Sequence, residues 1–313
     1  MMSGAAITCV SHPVSDTKTS IRSTQAIMAS GLPGQPGTPA VPTLDVILAH
    51  KRVEVAKAKV NTPLKTLQLR CAQLERPRNF FAAVVSERDR NRTRVIAEIK
   101  RKSPSAGLLR EAFRESFDPV GIAKQYAEAG AAALSVLTDE TFFGGHLGYI
   151  QLVRDAVPLP VLRKDFIVDE YQIWEARAAN ADAVLLIADV LPEGELLDMM
   201  ILARELGMTT LVEVHDVETL LKVRRYIGFP HAGYSLLGIN NRNLRTMETD
   251  LSHSFRMVEM VEDRHVLVSE SGIKSQDDLR KLRQHGVNIV LVGESLLRRE
   301  NPGEALRELL GAA

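Results

Sequence analysis

The sequence is poor in cysteine: Cys9 and Cys71 are the only two, and they lie far apart along the chain. A disulfide framework is therefore not expected, and a reducing compartment is favoured. No apolar run reaches the roughly 18 residues that a membrane-spanning helix needs. Lysine plus arginine and aspartate plus glutamate both number 39, so the formal net charge is zero. Without an excess of one sign, neither nucleic acid nor an anionic membrane is expected as a partner.

Two signatures of bound cofactors are also missing. No G-x-G-x-x-G motif follows a predicted strand, which argues against a dinucleotide-binding fold. The sequence has histidines at His146, in GGHLGY, and at His215, in EVHD, but neither has the spacing of a metal ligand. No metal site is therefore expected.

Residues 1–42 are rich in Ser, Thr, Pro and Gly and have few large apolar side chains. Such a segment buries too little apolar surface to offset its chain entropy, which predicts a disordered N-terminal tail. Its single acid, Asp16, with Lys18 and Arg22, also fits an organelle transit peptide. An untargeted tail is the preferred interpretation, and it predicts a cytoplasmic protein. The rest, 43–313, is predicted to form a single catalytic domain.

Short apolar runs recur along that domain, and each is followed by a turn and a helical pattern. Eight such β–α units predict an α/β fold, a parallel (β/α)8 TIM barrel, rather than an open doubly wound sheet. Extra helices are predicted before the first strand, in TLDVILAHKRVEVAKAKV, at 64–74 and in NFFAAVVSER. The predicted strands are VIAEIK (95–100), ALSVLT (133–138), PVLRKDF (160–166), AVLLIAD (183–189), TLVEVHD (210–216), LLGINN (236–241), VLVSESG (266–272) and IVLVGES (289–295).

In this fold the chemistry lies at the C-terminal ends of the strands, which open at one mouth. Glu98 and Lys100 are two residues apart on a strand, so both point to the same face and could form an ion pair. The strand-end residues expected to face the mouth are Glu98, Lys100, Thr138, Asp139, Lys164, Asp165, Asp189, Glu213, Asn240, Arg242, Glu270, Ser271, Gly293 and Glu294.

Such a set suits acid–base chemistry on an anionic small molecule. A lysine partly desolvated near other cations is expected to have a lowered pKa, in a range useful for proton donation. A structural Lys–Glu pair that caps the barrel core is the alternative for any one of these charges. That alternative is much weaker for Lys100, Lys164 and Glu213 taken together.

Two groups of small or aromatic residues add a binding signal. Ser271 and Gly272 follow the seventh predicted strand, and Gly293 follows the eighth, where this fold commonly binds phosphate. Phe142 and Phe143 lie on a glycine-flanked loop at the mouth, where they could cover a flat apolar group of a substrate. Plain packing of that loop is an equal alternative.

The motifs together resemble those of indole-3-glycerol phosphate synthases. They are VIAEIKRKSPSAG, SVLTDETFFGG, PVLRKDFIVDEYQI, ADAVLLIADVL, LVEVHD, LGINNRNL, VSESGI and LVGESLLR, which follow one another from about residue 44 to the C-terminus. The resemblance implies a tryptophan-biosynthesis carboxy-lyase without a cofactor. It would close the ring of 1-(o-carboxyphenylamino)-1-deoxyribulose 5-phosphate to give indole-3-glycerol phosphate, with loss of CO2 and water.

The resemblance also implies roles for individual residues. Lys164 would be the general acid and Glu213 the general base, with Lys100, held by Glu98, as a second acid or a partner of the substrate carboxylate. Asn240 would join the catalytic group and, with Arg242, orient the anthranilate part and the hydroxyls. An apolar ring pocket is implied from Pro104, Phe143, Phe166, Leu185 and Leu244. A phosphate site is implied from Ser103, Ser271, Gly272, Gly293 and Glu294, the last two through backbone N–H groups.

Two alternatives remain open at this point. One is a Schiff-base aldolase on the same barrel, with Lys164 as the covalent nucleophile. The other is a non-catalytic phosphate-binding barrel, which would be expected to have lost Lys164 or Glu213. The expected partner is a phosphorylated small molecule, and the expected state is a monomer or a weak homo-oligomer.

Overall fold

A computed structural model describes residues 41–85, 92–229, 231–243 and 248–311 of the chain. Almost all of the predicted tail, 1–42, therefore lies outside the described residues, and its disorder stays a prediction. No helix among the described residues combines the length and the apolar character needed to cross a membrane.

Eight parallel strands form a closed barrel, as predicted. The first strand pairs with the second and with the last, so that Ala97 lies beside both Leu134 and Val292. Each predicted apolar run contains a strand, because its β-branched and leucine side chains alternate between the barrel interior and the surrounding helices. The strands are β1 (Arg94–Ile99), β2 (Ala133–Leu137), β3 (Val161–Lys164), β4 (Ala183–Ile187), β5 (Thr209–Val214), β6 (Ser235–Asn240), β7 (Leu267–Glu270) and β8 (Ile289–Val292).

Helices precede β1 and follow the strands, which confirms the predicted N-terminal extension. After β1 a small antiparallel ribbon pairs Lys102 with Leu108, and short 3-10 turns lie at 111–114, 224–226, 232–234 and 264–266. The helices are α1 (Leu44–Asn61), α2 (Leu64–Gln73), α3 (Phe80–Val84), α4 (Pro119–Glu128), α5 (Glu140–Phe143), α6 (Tyr149–Ala156), α7 (Glu170–Ala178), α8 (Glu193–Glu205), α9 (Val217–Val223), α10 (Ser252–Val258), α11 (Gln276–Gln284), α12 (Glu294–Leu297) and α13 (Pro302–Leu310).

The core has an inner and an outer part. Ile96, Leu162 and Leu211 belong to a buried cluster inside the barrel, to which α3 adds Phe80. A larger cluster lies between the strands and the helices. Layers of branched apolar side chains fill the interior of this fold, so the charged residues that break the strand pattern must lie at its ends.

The N-terminal helices α1 and α2 pack on the outside of α7. Val55, Leu67 and Tyr171 form one buried apolar cluster there. The hydroxyl of Tyr171 shares its one proton between the backbone oxygens of Ala58 and Thr62, which lie 3.0 and 2.7 Å away. These contacts fix α1 beside the barrel mouth, which places its first turn against the site described next.

Candidate functional site

A cavity of about 570 Å³ opens at the C-terminal ends of the strands. It lies where the strand-end rule predicted, and its size is typical of pockets for small molecules. Leu244, predicted for the ring pocket, lies outside the described residues. The other predicted site residues all line the cavity: Glu98, Lys100, Ser103, Pro104, Phe143, Lys164, Phe166, Leu185, Glu213, Asn240, Arg242, Ser271, Gly272, Gly293 and Glu294.

Glu98 and Lys100 are in contact as an ion pair. Burial raises the pKa of Glu98, but the positive charges of Lys100 and Lys164 outweigh it, so the net shift is downward. Gly293, at the end of β8, makes room for this carboxylate, because an added Cβ there would collide with Glu98 Oε1 and lie 2.8 Å from its Cβ. The charged pair therefore occupies a space that the neighbouring strand leaves open.

Lys164 is at the centre of the charged residues. Its Nζ lies 3.4 Å from Glu213 Oε2 and 3.7 Å from Glu270 Oε2. Burial lowers the pKa of Lys164, but Glu213, Glu270 and Glu98 together raise it above its ordinary value. The predicted lowering of this pKa is therefore wrong: three carboxylates face the ammonium group, and they outweigh its desolvation and any neighbouring cation.

Glu213 and Glu270 form a buried pair of carboxyl groups with different environments. Burial raises the pKa of Glu213, but the charges of Lys164 and His215 and the hydrogen bonds of Glu270 and Asn240 bring it below its ordinary value. Burial and the charge of Glu213 raise the pKa of Glu270 well above its ordinary value. These opposite shifts favour a proton on Glu270, with Glu213 left as a carboxylate.

Glu270 was expected to face the mouth but received no individual role in the sequence prediction. The sequence feature that could have indicated a role for Glu270 is its position at the end of β7, one residue before Ser271 of the predicted phosphate site. Gly238 on β6 leaves room for it, because a Cβ there would collide with Glu270 Oε1.

The apolar wall of the cavity contains two aromatic rings. The centroids of Phe143 and Phe166 are 6.0 Å apart with a tilted arrangement. Phe142, next to Phe143, instead packs edge-on against the ring of His50 in α1, at 5.4 Å. Only one of the two predicted loop aromatics therefore faces the cavity. Other apolar lining residues that were not predicted are Leu44, Ile47, Leu137, Ile187, Ile273, Leu291 and Val292.

Another part of the cavity lining contains two arginine side chains, the carboxylate between them and unusual backbone. Arg242 places Nη2 3.4 Å from Glu294 Oε2, and Arg298 places Nη2 2.9 Å from Glu294 Oε1. Ser271 and Gly272 both have a positive φ, 67° and 82°. Left-handed backbone at a residue other than glycine is uncommon and is concentrated at functional sites. This part of the lining can receive a small anion.

Lys51 of α1 is a second buried cation that the sequence did not reveal. Its side chain is fully buried, and Nζ lies 3.0 Å from Asp139 Oδ2 and 2.9 Å from Asp165 Oδ1. Both carboxylates were expected to face the mouth; Asp165 lines the cavity as well as binding this lysine, whereas Asp139 does not line it. Asp139 also caps α5, by accepting the backbone N–H groups of Phe142 and Phe143. Lys51 thus connects the N-terminal extension to the loops that carry the apolar wall.

Some expected mouth residues have other roles. Thr138, Asp139 and Asp189 do not line the cavity. Thr138 donates its hydroxyl to Asp165 at 2.6 Å, and Asp189 contacts His215. Within the described ranges no group of three or more His, Cys, Asp or Glu side chains could hold a metal ion.

Comparison with solved structures supports the barrel fold alone, because sequence identity is low. The 3-hexulose-6-phosphate synthase of Salmonella typhimurium matches with a TM-score of 0.53 at 16% identity. The match covers 70% of this chain and 97% of the Salmonella chain. KGPDC from Streptococcus mutans matches with a TM-score of 0.50 at 15% identity, and the match covers 70% of this chain and 96% of the Streptococcus chain.

Sequence comparison is more specific. The family model described as indole-3-glycerol phosphate synthase matches residues 44–309. Three similar proteins carry that same name. The one from Burkholderia lata is 46% identical over 269 residues, with 85% of this chain and 98% of the relative covered. The one from Acidithiobacillus ferrooxidans is 44% identical, and the match covers 85% of this chain and 97% of the relative. The one from Rhodopirellula baltica is also 44% identical, and the match covers 86% of this chain and 99% of the relative. The chain therefore belongs to the indole-3-glycerol phosphate synthase family of carboxy-lyases.

Proposed function

We propose that this mouth performs the family's ring closure through its own side chains, with Lys164 as general acid and Glu213 as general base. The substrate would be 1-(o-carboxyphenylamino)-1-deoxyribulose 5-phosphate and the product indole-3-glycerol phosphate. One observation carries the proposal: the ammonium group of Lys164 lies 3.4 Å from Glu213 and 3.7 Å from Glu270, in a cavity that is also lined by aromatic rings and by arginine side chains.

The substrate's two ends fit the two sides of the cavity. In this proposal its aromatic ring packs against Phe143 and Phe166, where flat apolar surface is available. Its phosphate lies at the arginine-lined part of the cavity, against the backbone N–H groups near Ser271, Gly272 and Gly293. An anion there is attracted by the neighbouring arginine side chains. The hydroxyl of Ser103 is a further donor for it.

The remaining substrate groups fall near the central charges. Lys100 is available to the anthranilate carboxylate, and its pairing with Glu98 keeps it in place before CO2 departs. Asn240 accepts the backbone N–H of Arg242 at 3.0 Å and so fixes the orientation of that loop. The ribulose carbonyl then lies over Lys164.

The proton transfers follow from the charge states. Lys164 donates a proton to the carbonyl oxygen while the new carbon–carbon bond forms, so that no free oxyanion accumulates. CO2 leaves, which restores the aromatic ring. The new hydroxyl then takes a second proton, from the ammonium group of Lys100, and leaves as water, while Glu213 takes up the proton lost from the adjacent carbon. Because its pKa is held low, Glu213 is ionised at neutral pH and ready to act as the base.

The raised pKa of Lys164 also bears on the alternatives. A Schiff base requires a neutral amine, whereas the surrounding carboxylates keep this lysine as an ammonium ion. The complete set of acid, base and cavity argues against a barrel that only binds phosphate.

Indole fluorescence tests the proposal directly. The native chain is mixed with the substrate beside three variants: Lys164→Ala, Glu213→Gln and Lys222→Ala. Lys222 is an exposed lysine paired with Glu218, so it serves as the matched control. We expect Lys164→Ala and Glu213→Gln to lose about 10²- to 10⁴-fold in kcat and the control to retain activity. A folded Lys164→Ala or Glu213→Gln protein with native activity would refute these roles.

The finer features of partner and location belong to the proposal as well. We propose a monomer or weak homo-oligomer acting on a phosphorylated small molecule in the cytoplasm. Light scattering at micromolar concentration tests the first part, because a stable dimer would appear at twice the mass of the chain.

A further inference from the structure

His215 is a buried titratable group that the proposed chemistry does not use. It follows β5, and its side chain is only 9% exposed. Its Nδ1 lies 2.9 Å from Asp189 Oδ2, and its Nε2 lies 3.3 Å from Glu213 Oε1. The imidazole therefore lies between the proposed general base and a second carboxylate.

The two neighbours determine the protonation of the ring. Asp189 is held in place, because its Oδ1 accepts a hydrogen bond from the hydroxyl group of Thr219 at 3.1 Å. A carboxylate can only accept hydrogen bonds, so each ring nitrogen that faces one is favoured in its N–H form. The contact with Glu213 lacks hydrogen-bond alignment and acts through charge alone. A ring with a carboxylate at both nitrogens is most stable as imidazolium.

His215 also distinguishes between the two carboxyl groups of the site. Lys164 lies at similar distances from both, 3.4 Å from Glu213 and 3.7 Å from Glu270, and so gives only a small preference. His215 Nε2 lies 3.3 Å from Glu213 Oε1, so the charge of the ring acts on Glu213 more directly than on Glu270. A positive charge on one side of a pair that shares a proton directs the proton to the other side.

We propose that His215, held as imidazolium by Asp189, is a positioning residue that keeps the shared proton of the Glu213–Glu270 pair on Glu270. Glu213 then stays ionised as the base throughout the neutral range. This inference rests on the proposed function, since it assumes that Glu213 is the base.

The other charged neighbours of the ring agree with this assignment. Two effects lower the pKa of His215: burial, and the positive charge of Lys164 on β3, which disfavours a second positive charge on the imidazole ring. Asp189 and Glu213 outweigh both, so the pKa of His215 is raised. Asp216 is engaged in capping α9, by accepting the N–H of Thr219. His253, from α10, is close enough to interact with the ring, and burial lowers its own pKa, which favours its neutral form.

The sign of the pH effect follows. The positive charge of His215 lowers the pKa of Glu213, so its removal raises that pKa. Activity requires Glu213 as a carboxylate, so the acidic limb of the kcat/KM profile moves to higher pH. A residue that only fills space would instead lower kcat/KM by the same factor at every pH.

The test is the pH profile of kcat/KM for the native chain, His215→Asn, Asp189→Asn and the control His146→Asn. His146 is an exposed loop histidine that contacts Glu140. We expect the acidic limb to shift upward by about one pH unit or more in His215→Asn, less in Asp189→Asn, and not in the control. An unshifted limb in both His215→Asn and Asp189→Asn would overturn the proposal.

A second measurement does not depend on activity. An NMR titration of the histidine ring protons in the native chain, assigned by the resonance missing from His215→Asn or His215→Gln, gives the pKa of His215. We expect a value above the ordinary 6.5, and a value below it would overturn the proposal. A separate result would contradict the proposed function itself: full activity in the Glu213→Gln variant.

Discussion

Lys51 offers a sharp test of how the N-terminal helix supports the mouth. Replacing it with methionine keeps the length of the side chain and removes the buried charge. Asp165 would still have Arg163 at 3.1 Å and the hydroxyl of Thr138 at 2.6 Å. Asp139 would keep its helix-capping bonds through Oδ1, but its Oδ2 has no hydrogen-bond partner and depends on the charge of Lys51.

The expected magnitude follows from that difference. Removing one partner of a buried ion pair costs about 3–5 kcal/mol, and the partial compensation at Asp165 places Lys51→Met near the lower end, about 3 kcal/mol. The double variant Lys51→Met with Asp139→Asn should recover part of this loss, because the buried charge of Asp139 is gone; Glu54, also 3.0 Å from Lys51 Nζ, is exposed enough to be solvated. Lys59→Met is the control: Lys59 is half exposed and pairs with Asp169 at 2.6 Å, so its loss should be below about 1 kcal/mol.

Urea unfolding with a common m-value measures these differences. A loss for Lys51→Met no larger than that of Lys59→Met would refute the reasoning. So would a double variant less stable than Lys51→Met alone. Because Asp139 caps the helix that ends at Phe143, KM should also rise in Lys51→Met, and indole fluorescence would record it.

Three further outcomes follow from the site. Gly293→Ala should lower kcat/KM by about tenfold or more, since the new Cβ displaces Glu98 from Lys100; native kinetics would contradict this. Phe143→Ala should raise KM by about tenfold with little change in kcat, because one wall of the ring pocket is lost; an unchanged KM would remove Phe143 from the pocket. Burial raises the pKa of Asp165, but neighbouring cations and hydrogen bonds leave it lowered. Its contribution to stability is therefore present above about pH 4 and lost as pH falls through the lowered pKa. Urea unfolding in a pH series should show a smaller acid loss in Asp165→Asn than in the native chain, and equal losses would exclude this role.

The barrel could be predicted from the sequence because its signal is local. Each strand is a short run of branched apolar residues bounded by turn residues, so β2 and β4 begin where their runs were predicted. The mouth could be predicted too, because the C-terminal ends of parallel strands meet at one end. Glu98 and Lys100 illustrate this: their spacing of two residues predicted a shared face, and they are in contact.

What was missed depends on contacts between distant parts of the chain. Lys51 looks like any charged residue of an amphipathic helix, and its burial depends on Asp139 and Asp165, which lie far along the sequence. The pKa of Lys164 was predicted in the wrong direction for the same reason. The sign of the shift depends on how many carboxylates come close to the ammonium group, and a predicted place at the mouth does not give the 3.7 Å between Glu270 and Lys164.

The long-range contacts of the mouth also set an order of assembly during synthesis. The first turns of α1 leave the ribosome before β2 and β3 exist, so Lys51 cannot be buried with its carboxylates until both loops have folded. Glu98 must wait longer, because Gly293 arrives with the last strand, which closes the barrel against β1. Contacts so distant in sequence form late, since each requires a long loop to close. A nascent chain that lacks β8 therefore has no complete mouth, and catalytic competence arises only when the barrel closes.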